Sequence, residues 1–502
     1  MDPRYTKPQI SGIWSDLNKL KLWMKTEEAV IRARVQLGEV DATTARAIFD
    51  ALDAHPIDEE SVIWWKNRDG KIHHDLNAFL EERSRFLPVE LQLYFHQGIT
   101  SYDTEESAFC RMLLDSAFLV KRLLSGILSE LRTMALKYRY TIMNGRTHGQ
   151  EAEMQTFGKR CLTWFKELQV DEENLDRALL NLHFSKLSGA IGNYGGLEPE
   201  VERVALKVLG FEPFYGSTQI MPRVIYTPLA QALCQIVLTL GNIAKSIRLG
   251  ARSGRPLFHE PFAKMQKGSS AMPHKKNTII TEQIEGMGRM AKGYLAMIMD
   301  NITTWEERAI EQSCVERVAW PDLFHVTVHS LERMIKVLTG LVVYPDNMLR
   351  EIIESRGCYA SNVAKEFLKE KGEQVGLSAE DAYRIVQLAA FNAFTPSERV
   401  LRVRRTIPES FDRVPSLLTD IRCEIVGYPL AGASIEDIIR EGRLFALPEQ
   451  LEASGEQVVR WNVKLQKLLS QDGLAEQWRQ LFQPAHLLRN EAVLYQKILG
   501  VE

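Results

Sequence analysis

Cysteine is sparse in this chain of 502 residues, and its six cysteines are scattered rather than grouped. No two of them stand in a Cys-x-x-Cys arrangement, so neither a zinc site nor a disulfide framework is indicated. We therefore expect a protein of a reducing compartment. The cysteines are Cys110, Cys161, Cys234, Cys314, Cys358 and Cys423.

An excess of charge of one sign is also missing. The chain has 62 basic and 65 acidic residues, a net charge of −3, so no overall field attracts nucleic acid or a membrane surface. Any anion has to be bound by a local site. With 45% hydrophobic and 25% charged residues, the composition is that of an ordinary soluble globular protein.

Membrane and targeting signals are weak as well. The first five residues lack the apolar core of a signal peptide. The longest uncharged run, residues 224–244, contains Gln231, Gln235, Asn242 and a proline, which favours a helix buried among helices over a membrane span. We expect a cytoplasmic protein with neither a nucleic-acid nor a membrane partner.

Strand signals are nearly absent, because no sustained period-two alternation lies between turn dipeptides. Apolar residues recur instead at intervals of three and four, and further long helical runs cover about 156–184, 227–252 and 278–340. The fold class predicted is all-α, and such long apolar faces favour assembly of several copies. The clearest apolar stripe is Leu113, Ala117, Val120, Leu124, Ile127, Leu131 and Ala135.

Changes in composition divide the chain into three helical domains. An N-terminal helical domain, a central long-helix bundle and a C-terminal helical domain are expected over residues 1–105, 106–345 and 346–502. Ser378 and Asp381 have capping-box spacing and predict the start of a helix in the last domain. An extension after about residue 424 is indicated by the turn-forming residues Gly427, Pro429 and Gly432.

The most informative stretch is residues 268–277, Gly-Ser-Ser-Ala-Met-Pro-His-Lys-Lys-Asn. Glycine gives conformational freedom, the serines offer hydroxyls and proline stiffens the middle, so a loop able to close over an anion is predicted. A helix should begin near Thr278, whose side chain could cap it. The positive N-terminal end of that helix would point at the loop.

This stretch resembles the signature loop of the fumarase/aspartase superfamily, Gly-Ser-Ser-x-Met-Pro-x-Lys-x-Asn, except that Thr278 replaces the usual proline. The resemblance implies that Ser269 is the catalytic base and that Lys275 and Asn277 hold the substrate carboxylate. Ser270 is implied as a further substrate-binding residue.

Other segments resemble one family of that superfamily, the adenylosuccinate lyases, in the same order along the chain. The segments are Arg4-Tyr5, His74-Asp75, Thr100-Ser101-x-Asp103, Gly145-Arg146-Thr147-His148-Gly149, Ser217-Thr218-Gln219, and Arg308 with Ser313 and Arg317. A histidine in a glycine-flanked turn has the access that a core histidine lacks, so His148 is a functional candidate even from its own context.

The resemblance implies a role for each matching residue. His148 would be the general acid, with Glu282 supporting its protonated form, and His74 would be a further catalytic residue. Arg308, Ser313 and Arg317 would bind a nucleotide phosphate, because arginine forks suit phosphate oxygens. The remaining substrate-binding residues implied are Arg4, Tyr5, Asp75, Thr100, Ser101, Thr147 and Gln219.

Arg308 and Arg317 are nine residues apart and half a turn out of phase on one continuous helix. Either the helix must break between them or different subunits must use them. Departures from the family pattern put some contacts in doubt, and they are Val224, Tyr226, Ala309, Glu311 and Gln312.

A member of this family would release fumarate from adenylosuccinate, leaving AMP, and from the succinyl-carboxamide ribotide SAICAR, leaving AICAR. The resemblance further implies a homotetramer with active sites shared between subunits, and a reaction without metal or organic cofactor. Two alternatives stay open at this point. One is another lyase of the superfamily, such as an argininosuccinate lyase, and the other is a non-catalytic structural paralogue.

Overall fold

A computed structural model describes residues 1–394, 403–405, 423–425, 433–446 and 453–501 of the chain. The described residues form two compact units, which are Met1–Thr133 with Thr163–Val343, and Met134–Leu162 with Tyr344–Glu502. The division into three domains stays a prediction. The boundary expected at Gly427, Pro429 and Gly432 lies outside the described residues.

The first unit is built from helices, with four short strands. Its helices are α1 (Pro8–Ile13), α2 (Asp16–Gln36), α3 (Ala42–Asp53), α4 (Glu59–Ile72), α5 (Asp75–Ser84), most of α6 (Ser101–Lys137) and of α7 (Phe157–Leu180), α8 (Pro199–Leu209), α9 (Thr227–Gly250), α10 (Ile279–Asp300) and α11 (Ile310–Thr339). The strands β3 (Phe184–Ser185) and β4 (Glu212–Pro213) pair in parallel, and β5 (Phe258–His259) and β6 (Val342–Val343) pair antiparallel.

The second unit combines a hairpin with short helices. The strands β1 (Ile142–Thr147) and β2 (Gln150–Thr156) pair antiparallel, as do β7 (Val403–Arg405) and β8 (Cys423–Ile425). The helices are α12 (Pro345–Glu354), α13 (Ser361–Lys371), α14 (Ala379–Phe394), α15 (Ile435–Arg440), α16 (Gly455–Leu469), α17 (Leu474–Gln480), α18 (Pro484–Leu487) and α19 (Glu491–Leu499). Ser378 and Asp381 form the expected capping box, in which each side chain receives the other's backbone N–H at 2.9–3.0 Å.

The apolar stripe predicted on α6 is its buried face. All seven residues of that stripe are 0% exposed, from Leu113 to Ala135. The predicted run 278–340 is two helices, however, because α10 ends at Asp300 and α11 begins at Ile310. The all-α fold class is confirmed, and the connection between α10 and α11 leaves Arg308 outside either helix.

Helix α9 was predicted to be a buried core helix. The segment Arg223–Gly250 is long and apolar enough to cross a membrane by length and composition alone. Twelve residues of α9 are nevertheless buried, and the helix packs against α10 and α11. It therefore has the burial of a core helix.

The hairpin β1–β2 was not predicted from the sequence. Its turn is His148-Gly149, with φ of 54° and 78°, rather than the Asn-Gly or Asp-Gly dipeptide that marks most two-residue hairpins. Its strands also carry polar side chains on both faces, with residues such as Asn144, Glu151 and Glu153, so apolar alternation does not reveal them.

Candidate active site

A cleft of about 460 Å³ opens in the first unit, between α2, α5, α6 and α11. We call it the arginine cleft. Three residues expected to bind substrate, Asp75, Ser313 and Arg317, line it together with Lys19, Tyr102 and Glu105. The structure thus brings residues 75, 313 and 317 together, although 238 positions separate the first two in sequence.

Arg317 lines the cleft and Arg308 lies beside it, against the Tyr102 ring, and both guanidinium groups have partners. Arg317 Nη2 lies 2.7 Å from Asp75 Oδ2. Arg308 Nη1 donates to Gln219 Oε1 at 2.9 Å, and the Arg308 guanidinium lies 3.9 Å from the centre of the Tyr102 ring. Arg308 precedes α11 and Arg317 lies within it, so of the two alternatives for these arginines the structure has the first, in which they do not share one continuous helix.

Ser313 lies in the first turn of α11. Its Oγ donates to the carbonyl oxygen of Ile310 at 2.9 Å, and the residue is 4% exposed. Glu311 and Gln312, which also depart from the family pattern, lie in the same turn of α11. Glu311 is exposed, and Gln312 is buried with its Nε2 donating to the Thr303 oxygen at 3.0 Å. Gln312 therefore fixes the connection between α10 and α11.

Glu105 is a cleft residue that the sequence motifs did not identify. Burial raises the pKa of its carboxyl to about 8, and the nearby Asp75 adds to the rise, whereas Arg308, Arg317 and Lys19 oppose it. Glu105 follows Tyr102 by three positions, so both lie on one face of α6. The sequence signal that could have identified Glu105 is a carboxylate on a mostly apolar helix, three positions after Tyr102.

A buried ionic network underlies the cleft. Arg223 Nη1 donates to both carboxylate oxygens of Glu106 at 2.9 Å, and Arg223 Nη2 donates to Glu316 at 3.1 Å. Tyr226 donates its hydroxyl to Glu106 at 2.5 Å. Burial raises the pKa of Glu316, while Arg223 opposes that rise. Tyr226, which departs from the family pattern, therefore has a structural partner, whereas Val224 is exposed.

The N-terminal segment lies against α11. The Tyr5 ring meets the His329 ring edge-on, with centroids 5.2 Å apart. The Lys7 backbone N–H donates to His325 Nδ1 at 2.9 Å, and His325 lines the cleft. The Arg4 side chain is exposed. The segment expected to reach a phosphate is thus held on a helix that borders the arginine cleft.

His74 is the N-cap residue of α5. Its Nδ1 accepts the backbone N–H of Asn77 at 3.2 Å, which leaves the proton of the neutral ring on Nε2. Its catalytic role stays a prediction. Thr100 and Ser101 stand at the start of α6, where the Thr100 N–H donates to Asp103 Oδ2 at 2.8 Å. Asp103 also pairs with Lys186 at 2.6 Å, and both side chains are fully buried.

The predicted loop at residues 268–277, hereafter the signature loop, is closed at its root. Asn277 Nδ2 donates to the Gly268 oxygen at 2.8 Å. A Cβ on Gly268 would lie 1.8 Å from the Lys275 carbonyl oxygen, so only glycine fits there. Half-buried Ser269 accepts the N–H of Met272 at 3.1 Å through its Oγ, whereas Ser270 and Lys275 are exposed.

The expected cap of α10 by Thr278 is wrong. Thr278 makes no side-chain capping bond, and the Glu260 carboxylate accepts the N–H groups of Ile280 at 3.0 Å and Thr281 at 2.9 Å instead. Two oxygens on a longer side chain satisfy two amides that a single threonine hydroxyl could not. Glu282, in the first turn, lies 3.7 Å from Arg248.

The candidate acid His148 belongs to the second unit, whereas Ser269 belongs to the first. Thr147 and His148 are exposed at the tip of the hairpin β1–β2. Arg146, next to the tip, pairs with Glu351 of α12 at 2.9 Å. In the described part of the chain, no group of three or more His, Cys, Asp or Glu side chains could hold a metal ion.

The chain is similar to several known proteins. The family model described as Lyase matches residues 3–293. A fumarate lyase from Mesorhizobium sp. BNC1 has a TM-score of 0.76 at 20% identity, with 99% of each chain covered. A β-carboxy-cis,cis-muconate cycloisomerase from Acinetobacter calcoaceticus has a TM-score of 0.74 at 18% identity, over 99% of this chain and 98% of its own. Together they define a lyase with the fumarase/aspartase fold.

Curated relatives narrow the assignment. An adenylosuccinate lyase from Synechocystis sp. is 36% identical over 78% of this chain and 89% of its own. One from Aquifex aeolicus is 35% identical over 78% of this chain and 88% of its own. The chain therefore belongs to the adenylosuccinate lyase family.

Proposed function

We propose that this chain eliminates fumarate from adenylosuccinate to give AMP, and from SAICAR to give AICAR, in purine nucleotide synthesis. The observation that carries the proposal is the arginine cleft in a chain of this family. Arg317 and Ser313 line it beside Asp75, and the chain also has the serine and lysine of the signature loop.

The cleft suits a nucleotide phosphate. Arg308 and Arg317 each present a planar fork that can bind two phosphate oxygens. The Arg308 fork engages Gln219 at 2.9 Å, and the Arg317 fork engages Asp75 at 2.7 Å. A phosphate dianion is a stronger partner for guanidinium than an amide oxygen, and it would replace Gln219 on Arg308. Arg4, Tyr5 and Ser313 would complete the phosphate site.

The reaction removes a weakly acidic proton beside a carboxylate while an amine leaves. It needs a base, an acid and fixed donors where negative charge collects on the carboxylate. Ser269 is the proposed base, and deprotonation of its hydroxyl is favoured by the Lys275 ammonium. Lys275 and Asn277 hold the substrate carboxylate, and the other proposed donors are Thr100, Ser101, Thr147 and Ser270.

His148 is the proposed acid, which protonates the departing nitrogen, and Glu282 stabilises the imidazolium form. His74 acts as an additional catalytic residue near the substrate. We infer that the active site combines subunits of a homotetramer. Large apolar side chains on the long helices support assembly, since Leu249 is 55% exposed and Leu238 and Met297 are each 40% exposed. A cytoplasmic location follows from this metabolic role.

One assay tests the activity directly. Purified protein is mixed with adenylosuccinate and the ultraviolet absorbance change is followed, with argininosuccinate as the control substrate. We expect turnover of adenylosuccinate alone, and turnover of argininosuccinate alone would overturn the proposal. Light scattering after size-exclusion chromatography gives the mass of the assembly, which should be four times the 57.3 kDa chain.

A further inference from the structure

The root of the hairpin that carries His148 is bonded to the last helix of the second unit. Thr156, the final residue of β2, donates its N–H to Glu491 Oε1 at 3.1 Å and its hydroxyl to Oε2 at 2.7 Å. Thr156 is 2% exposed. One carboxylate of α19 thus receives both donors of the residue that joins the hairpin to α7.

A second contact of α19 lies one turn further along. Tyr495, fully buried, donates its hydroxyl to the Ala135 carbonyl oxygen at 3.2 Å, in the last turn of α6. The Arg139 guanidinium lies 4.7 Å from the centre of its ring. A Cβ on Gly158 would lie 2.2 Å from the Tyr495 hydroxyl, so the start of α7 leaves room for this tyrosine.

These contacts bridge the two sides of the hairpin's root. Ala135 precedes β1 in the chain, and Thr156 ends β2, where it pairs with Ile142. A single helix therefore ties the entry and the exit of the hairpin. His148-Gly149 lies at the other end of the hairpin. Because the strands separate it from the root, a small rotation at the root produces a larger displacement of the imidazole.

We propose that Glu491, assisted by Tyr495, is a positioning residue that sets the direction of the hairpin and thereby the place of the His148 imidazole in the reaction. The inference rests on the proposed role of His148 as the acid. It assigns a function to the last helix of the chain, for which sequence motifs indicated none.

The test is a double-mutant cycle between Glu491→Gln and His148→Ala, with kcat measured on adenylosuccinate. Glutamine keeps one acceptor oxygen and loses the other, so the root bond weakens. A displacement of about 1 Å can lower turnover by up to about 100-fold, and we expect roughly a ten-fold loss of kcat from Glu491→Gln. In the His148→Ala background the same change should lower kcat by less than about two-fold, because the group it positions is gone.

Two controls separate positioning from general damage. Thr156→Ser keeps both donors to Glu491 and should retain kcat, and Glu476→Gln alters an exposed carboxylate of helix α17 that pairs with Arg479 at 3.5 Å. Tyr495→Phe removes the hydroxyl bond to Ala135 and leaves both bonds between Thr156 and Glu491, so it should lower kcat less than Glu491→Gln while the protein still folds.

Hydrogen exchange of the amides at residues 142–156 gives a readout that needs no lyase activity. Glu491→Gln should speed exchange in the hairpin and leave the amides of α9 unchanged. Equal losses of kcat with and without His148, or unchanged exchange in the hairpin, would overturn the inference. The protein could lack lyase activity while Glu491→Gln still speeds exchange in the hairpin. The proposed function would then fail, but the structural tie between Glu491 and the hairpin would stand.

Discussion

The arginine cleft and the signature loop lie in the same unit, and motifs predicted the loop and three residues of the cleft, but the two are built differently. The cleft places Asp75, Tyr102 and Arg317 on three helices, α5, α6 and α11, above the buried Arg223 network. The signature loop has exposed side chains at Ser270 and Lys275 and is held mainly by bonds within itself. Asp75 and Arg317 therefore have a fixed place on packed helices, whereas Ser269, Lys275 and Asn277, three of the groups proposed to act on the succinyl arm, lie on a partly exposed loop.

The largest effects should come from the reacting groups. Ser269→Ala and His148→Ala should each lower kcat by at least ~100-fold, the scale of losing a base or an acid. Ser129→Ala, on an exposed face of α6, is the matched control and should keep full activity. Turnover is followed with adenylosuccinate, and unchanged circular dichroism shows that the variants fold. Near-normal activity of Ser269→Ala would show that another group is the base.

A change at the root of the signature loop should come next. Gly268→Ala places a Cβ 1.8 Å from the Lys275 carbonyl oxygen, so the loop must open at the residue before Ser269. Because misplacing a reacting group by about 1 Å can cost about 100-fold, we expect kcat to fall by about 10- to 100-fold. Gly293→Ala, on α10 with no atom within 4 Å of the added carbon, is the control. Equal activity of the two variants would mean that the closed root is unimportant for turnover.

The cleft was predictable in its components but not in its arrangement. Asp75, Ser313 and Arg317 were identified by motif, and the break before α11 was one of two solutions to the spacing of the arginines. Their partners were not identified, because the Asp75–Arg317 pair joins α5 to α11 across 242 positions. Contacts at that separation leave no signal in periodicity or local spacing.

The signature loop shows where local rules fail. The sequence predicted the glycine start and the helix after it, but it assigned the cap to Thr278. Glu260 lies 20 positions before Ile280 and reaches the helix through the fold. The hairpin was missed for a related reason, since polar strands and a His-Gly turn do not resemble a typical hairpin. Both errors arise because tertiary contacts, rather than local propensity, determine these two features.

A smaller effect is expected from replacing the guanidinium group of Arg317. Arg317→Lys keeps the charge but loses the planar pair of donors, so AMP should bind about ten-fold more weakly, the loss of one charge-assisted hydrogen bond. Arg111→Lys is the matched control, because Arg111 pairs with Asp115 at 2.8 Å outside the cleft. Calorimetric titration with AMP measures both. Equal affinity of the Arg317 variant and the unmodified protein would remove this residue from the phosphate site.

The smallest expected effect is a dependence of AMP binding on pH. It tests whether ionisation of Glu105 changes the charge of the cleft. With a pKa of about 8, the Glu105 carboxyl is mostly neutral at pH 7 and ionised at pH 9. The second ionisation of a nucleotide phosphate, near pH 6, is complete over that range. Deprotonation of Glu105 adds a negative charge beside Asp75, opposing phosphate binding, so the Kd for AMP should rise a few-fold between pH 7 and pH 9. Glu105→Gln stays neutral throughout and should flatten this rise, and burial raises the pKa of the Tyr102 hydroxyl further above its usual value. A Kd that rises equally in the Gln variant would show that a group other than Glu105 titrates.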